Sequence, residues 1–100
     1  MPVAWRTDEP QARTEATTKH MPALLFFNAS WSVADKELDE KTFTSPEVRK
    51  ELSRFITIRI DVTNDEAPAA IAATRKYRPV GVPTLIVFDS GGIEVSRWIQ

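Results

Sequence analysis

A serine and an aspartate, Ser32 and Asp35, stand three residues apart in the stretch Asn28-Ala29-Ser30-Trp31-Ser32-Val33-Ala34-Asp35-Lys36. Two kinds of chemistry fit that pair. A serine hydroxyl becomes a nucleophile when a neighbouring base takes its proton. The same Ser-x-x-Asp spacing is also that of a helix capping box. There the hydroxyl accepts from the N–H of the fourth residue, and the acid reaches back to the cap's own N–H. The base for a nucleophile would have to be His20, the one histidine of the chain. It precedes the apolar run whose far end leads to Ser32. Five or more extended residues at roughly 3.3 Å each keep the two apart. The capping box is therefore the expected role, with Asp a weaker fourth residue than Glu or Gln.

Other acids are close in sequence without forming a metal site. Asp35, Glu37, Asp39 and Glu40 fan around a helix and read as a solvated face. Asp61 and Asp65 lack the glycine and spacing of a calcium loop and read as turn and first-turn acids. The chain has no cysteine, which excludes a disulfide, thiol catalysis and a thiolate metal site. A site without metal or cofactor is expected.

The elements that position this stretch follow from patterning. Ala23-Leu24-Leu25-Phe26-Phe27 is continuously apolar, as in a strand buried on both faces. From Val33 the spacing turns helical, with Ala34 and Leu38 on one side. A strand that turns straight into a helix brings the helix's unpaired N–H groups to the sheet edge. Before it, Val3–Arg6 predicts a short strand, and Thr7 or Asp8 caps a helix running to about Lys19. That helix turns a narrow stripe, Ala12 and Ala16, to the core. His20-Met21-Pro22 ends it.

After the central stretch, Ser45-Pro46 predicts a capped helix carrying Val48 and Leu52. Phe55 to Asp61 is β-branched and apolar, and Thr84 to Phe88 is a second such strand. Between them, Thr63-Asn64-Asp65-Glu66 should cap a helix through Ala69, Ile71, Ala72 and Tyr77. Asp89-Ser90-Gly91-Gly92 predicts a tight turn, with Ile93–Ile99 as its hairpin partner. The order β-α-β-α-β-α-β-β predicts parallel pairing across the helical crossovers and an antiparallel last pair. The chain stops at Gln100, directly after the last strand. One apolar face, with Leu85 and Val87, is thus expected to lack cover.

At 100 residues the chain fits one domain, residues 1–100. Formal net charge is −1, with 13 basic and 14 acidic residues spread along the chain. That gives no footprint for nucleic acid. No apolar run approaches the roughly 18 residues of a membrane helix, so no insertion by this domain is expected. The first residues lack a signal-peptide core.

Several segments together carry a family likeness. Ala29 to Lys36 is similar to the Trp-Cys-Val-Ala-Cys-Lys turn of thioredoxin-like proteins with both cysteines replaced. Within that fold, the chain resembles the C-terminal domain of the disulfide reductase DsbD. Thr42 to Val48 and Asp61 to Asp65 are similar to segments of that branch. Tyr77-Arg78-Pro79-Val80-Gly81-Val82-Pro83-Thr84 resembles the loop holding the family's cis-proline, which would be Pro83. The likeness runs from about Trp5 to Trp98.

The resemblance implies an α/β fold with a mixed sheet in the order 1-3-2-4-5 and helices on both faces. It also implies a final helix, here expected to be missing. The implied activity is thiol–disulfide exchange, with Ser32 at the attacking position and Asp35 at the resolving one. An oxygen side chain forms no disulfide, so no residue is expected to be catalytic in that reaction. Phe26 stands where the family often keeps a buried acid. Together with the unusual aspartate, this favours natural loss over laboratory replacement.

In relatives, the positions of Trp31, Val82 and Pro83 flank the active site as an apolar platform. The backbone beside the cis-proline pairs with an extended segment, a contact that needs no sulfur. The first reading is a redox-inactive module binding a protein or extended peptide through these residues. The second is a DsbD-type oxidoreductase with its cysteines substituted, and the third a structural domain of a larger assembly. Self-association or a partner domain would cover the open face, with Trp98 and Ile99 as further apolar contacts. The resemblance implies a periplasmic location if the domain belongs to a larger protein, and a cytoplasmic one if Met1 is the native start.

Overall fold

Asp8 opens the first helix, α1 (Glu9–Thr18), by accepting a 3.2 Å hydrogen bond from the Gln11 N–H in this computed structural model, which describes residues 2–99. Ala12 and Ala16 are its buried stripe, as expected. The helix ends on a left-handed residue, His20, at φ +54. The His20 N–H donates to Thr17 O at 3.2 Å and the Met21 N–H to Ala16 O at 2.9 Å. That pattern satisfies the last carbonyls of the helix, and it gives His20 a structural place.

β1 (Ala23–Asn28) follows and is buried along its whole length. α2 (Val33–Glu37) leads directly into a π-helical turn, Leu38–Thr42. α3 (Pro46–Leu52) starts on its proline, as predicted, but Ser45 occupies the cap position without a side-chain hydrogen bond. β2 (Ile56–Asp61), α4 (Pro68–Tyr77), β3 (Thr84–Phe88) and β4 (Glu94–Ile99) complete the order. α4 begins beyond the segment expected to cap it. Asn64 and Asp61 instead take up N–H groups of the connecting turn, and Pro68 supplies the helical start.

The sheet runs β2-β1-β3-β4. β1 and β2 are parallel, Phe27 opposite Ile60 and Asn28 opposite Asp61. The expected strand over Val3–Arg6 is a single bridge, Arg6 to Ile58. The reason is local: the Trp5 N–H folds back onto Val3 O at 3.1 Å, so the segment bends where a strand would extend. The bridge lies on the outer side of β2, which preserves the expected order with its first member reduced to one residue.

A second correction concerns direction. β3 pairs antiparallel with β1, Phe27 opposite Thr84, although a helix connects β2 to β3. β3 therefore starts at the end of the sheet where β1 finishes. That brings the loop before β3 to the loop after β1.

α1 and α4 cover one face of the sheet. Ala12, Ala16, Ala73 and Tyr77 meet Leu25, Phe27, Ile58 and Ile86 there. Each fully buried large apolar side chain contributes about 1.5–3 kcal/mol, which makes this layer the main source of stability. Glu9 is buried in it, accepting from the Tyr77 hydroxyl at 2.5 Å and from Lys76 Nζ at 2.9 Å. Burial and the Glu9 carboxylate push the Tyr77 hydroxyl well above its ordinary pKa. On the other face Phe26 packs with Trp5 and Phe43, ring centroids 5.6 and 5.2 Å away. Leu85 and Val87 remain half-buried, and no helix follows β4 among the described residues.

Candidate functional site

Asn28 ends β1, and the chain turns through Ala29-Ser30-Trp31 into α2. Ser32 is the N-cap, its Oγ accepting from the Asp35 N–H at 3.3 Å. Half of the expected box is therefore present. The other half is not: Asp35 Oδ2 accepts from the Ala29 N–H at 2.6 Å, while the Ser32 N–H donates to Ala29 O at 3.2 Å. The carboxylate braces the start of the loop and leaves the cap's own N–H to the backbone.

Asp35 is only 2% exposed, and its Oδ1 has no hydrogen-bond partner. Burial raises its pKa above the ordinary aspartate value. Hydrogen bonds from Ala29 and Ser32 oppose that rise, the Asp39 charge adds to it, and Arg59 works against it. The favourable field of a helix start is thus outweighed by loss of solvent.

Beneath the loop, Arg59 grips Asp39 through two nitrogens, at 2.5 and 3.2 Å. Its guanidinium lies 5.0 Å from the ring centroids of both Trp5 and Phe26. With its side-chain amide turned to satisfy both neighbours, Asn28 accepts from Arg59 Nη1 and donates to Ile60 O, each at 3.2 Å. The floor of the site is therefore aromatic, with one ion pair at its rim.

The loop is also held from the side. The Ser30 N–H donates to Thr63 Oγ1 at 2.8 Å, and the Val62 N–H to Asn28 O at 2.8 Å. Thr63 donates its hydroxyl and its N–H to Asp61 Oδ1, at 2.5 and 2.8 Å. Those two bonds lower the Asp61 pKa below the usual aspartate value.

The peptide bond between Val82 and Pro83 is cis, at the position expected of it. Pro83 itself is buried, and Thr84 Oγ1 donates to Gly81 O at 2.5 Å. Continuing the register of Phe27 with Thr84 places Pro83 and Val82 level with Asn28 and Ala29. Among the described residues, neither the N–H nor the C=O of Val82 takes part in a backbone hydrogen bond outside the regular elements. Trp31 is 67% exposed, so it does not pack into its own loop. Val33 and Val80, which the sequence reading did not single out, are 71% and 80% exposed.

Of the residues expected at the site, Trp31, Ser32, Asp35, Val82 and Pro83 lie at this one end of the sheet. His20 lies before the opposite end of β1. Among the described residues, no three acidic or imidazole side chains gather as metal ligands.

A thioredoxin-like family model matches residues 4–90. The chain belongs to the thioredoxin-like family. It is 37% identical over 83 residues to the thiol:disulfide interchange protein DsbD of Cronobacter sakazakii, covering 83% of this chain and 14% of that protein. The DsbD of Klebsiella pneumoniae is 35% identical over 82 residues, 82% of this chain and 14% of that protein. The chain thus spans about a seventh of the length of these relatives.

Among solved structures, the oxidised C-terminal domain of Neisseria meningitidis DsbD superposes with a TM-score of 0.74 at 26% identity. The match covers 96% of this chain and 86% of that one. A thioredoxin from Thermus thermophilus reaches 0.79 at 21% identity, covering 99% and 76%, which is a likeness of fold. The chain is a DsbD-like thioredoxin domain without cysteine. No helix of the described residues is long and apolar enough to cross a membrane.

Proposed function

We propose that this domain binds an extended protein segment at the end of the sheet that carries Ser32 and Asp35, without redox chemistry. Thiol exchange requires a thiolate to attack and a second to resolve, and neither oxygen side chain can take those parts. What remains is a recognition surface. The observation that carries the reading is the backbone of Val82, with an N–H and a C=O outside the chain's own ladder. Trp31, Val33 and Val80, all exposed, belong to the segments at the same end of the sheet. A peptide in β conformation would pair with Val82 and lay alternate side chains on those residues. In this reading Ser32 and Asp35 keep the loop in shape.

Titration with oxidised and reduced peptides, following tryptophan fluorescence, tests this. Trp5 and Trp98 also fluoresce, so the comparison is with Trp31→Phe. A saturable change that Trp31→Phe abolishes supports the reading, and no response to any peptide counts against it.

A second surface belongs to the same reading. Trp98, 44% exposed, stands opposite Leu85 in the sheet beside Val87. A second copy, a partner domain or a further segment of a longer chain would cover this face. Sedimentation velocity across a concentration series distinguishes self-association from a face reserved for another chain.

A further inference from the structure

A cavity of about 500 Å³ opens at the end of the sheet away from Ser32 and Asp35, between the N-terminal segment, the end of α1 and the end of α3. Val3, Ala4, Met21, Leu52, Phe55 and Ile56 give it an apolar lining. The volume lies within the range of small-molecule sites. Its wall is fixed: Thr57 Oγ1 donates to Ala4 O at 3.0 Å, and the Arg6 N–H to Thr57 O at 2.8 Å.

Charge around the cavity is one-sided. Arg6, Lys19 and Arg49 line it with a single carboxylate, Glu15. Both terminal nitrogens of Arg6 donate to Glu15 at 2.8 Å, and Lys19 Nζ reaches the same carboxylate at 3.3 Å. Arg49 is different. Its Nε donates to Phe43 O at 3.2 Å, and its terminal nitrogens have no protein acceptor among the described residues. Three cations against one anion repel a cationic ligand, and a wholly apolar ligand would strip water from Arg49 without replacing it. A molecule with an apolar body and one acidic head satisfies both the lining and the rim.

We propose that this cavity binds an amphipathic anion, its acidic head on Arg49 and its body against Met21, Leu52 and Ile56. The site is independent of the peptide surface. It shares no residue with the loop after β1 or the loop before β3.

The test uses isotopically labelled protein titrated with decanoate and, separately, with decanol. Decanoate should shift the amide signals of Ala4, Met21, Leu52 and Phe55 and leave those of Ala29 to Ser32 in place. Decanol should bind about tenfold more weakly, since it forgoes the charge-assisted bonds to the guanidinium. Arg49→Gln should remove that difference. Should its loss of the Phe43 contact lower the melting temperature, Arg49→Lys, which keeps a charge at the same position, should retain the preference for decanoate, and loss of the preference there as well would count against the proposal.

Cosedimentation with phosphatidylglycerol but not phosphatidylcholine vesicles, lost in Arg49→Gln, would assign the head to a lipid. Decanoate binding without cosedimentation would assign it to a free acid. Either supports the proposal. Equal affinity for decanol and decanoate, shifts scattered over the surface, or no shift at these amides would overturn it.

Discussion

The Asp35 carboxylate holds the backbone N–H of Ala29 at 2.6 Å, across the turn that carries Trp31. The residue that the family resemblance sets at the resolving position is the brace of the loop. Because it is buried with one oxygen unpartnered, the brace is responsive to protonation.

The pH dependence follows from the sign of that shift. Burial raises the Asp35 pKa in the folded protein above its unfolded value. The folded state therefore binds more protons, and stability falls as pH rises from the ordinary aspartate range through the raised pKa. Above that point the cost is constant. Asp35→Asn keeps an acceptor for Ala29 and removes the charge. Its urea midpoint should be flatter than that of the parent across this window, and higher at neutral pH.

Thiol chemistry is the second prediction. The parent protein should reduce no insulin disulfide. In Ser32→Cys/Asp35→Cys the two sulfurs would lie across the first helical turn, at the N-cap and third helical positions. This variant should lose its free thiols on mild oxidation, as read by thiol titration, while each single variant keeps one. Catalytic turnover comparable to an intact reductase would favour a substituted oxidoreductase over a binding module.

Thr63 latches the loop through Ser30. Thr63→Val keeps the shape and removes the acceptor, at a cost of about 0.5–1.5 kcal/mol in chemical denaturation. The same change takes one of the two bonds from Asp61. Its carboxylate pKa, followed by NMR, should move up toward the ordinary value.

Phe26 is the fourth test. It is fully buried and packed between Trp5 and Phe43. Phe26→Asp places an acid where the family resemblance implies one, yet it opens a cavity and buries a carboxyl. A loss of at least about 3 kcal/mol is expected in denaturant unfolding.

Much of this was legible in the residues because the signals were local. The apolar run of β1, the Ser32 cap, the buried alanines of α1 and the proline starts of α3 depend on neighbours a turn or a strand away. What escaped was set by distant partners. Asp35 reaches Ala29, past Ser32, because the tertiary turn puts that N–H beside it, and no spacing rule encodes this. The antiparallel entry of β3 is a property of the sheet, not of the β2–α4–β3 sequence. Val3–Arg6 has strand composition but bends at Trp5, so that only Arg6 pairs. Arg59 and Asp39, twenty residues apart, carry no sequence mark of their ion pair.

The aromatic floor under Ser32 also bears on how this domain could change. Phe26, Trp5 and Phe43 fill the space beneath the loop, and the Arg59 charge is already paired with the Asp39 carboxylate. Recovering a dithiol pair would need sulfur at two positions, and adding the acid that the family resemblance often places below them would have to displace Phe26. The route through the acid crosses a poorly packed, partly desolvated intermediate. An acid at that position is thus opposed by the packing of one phenylalanine.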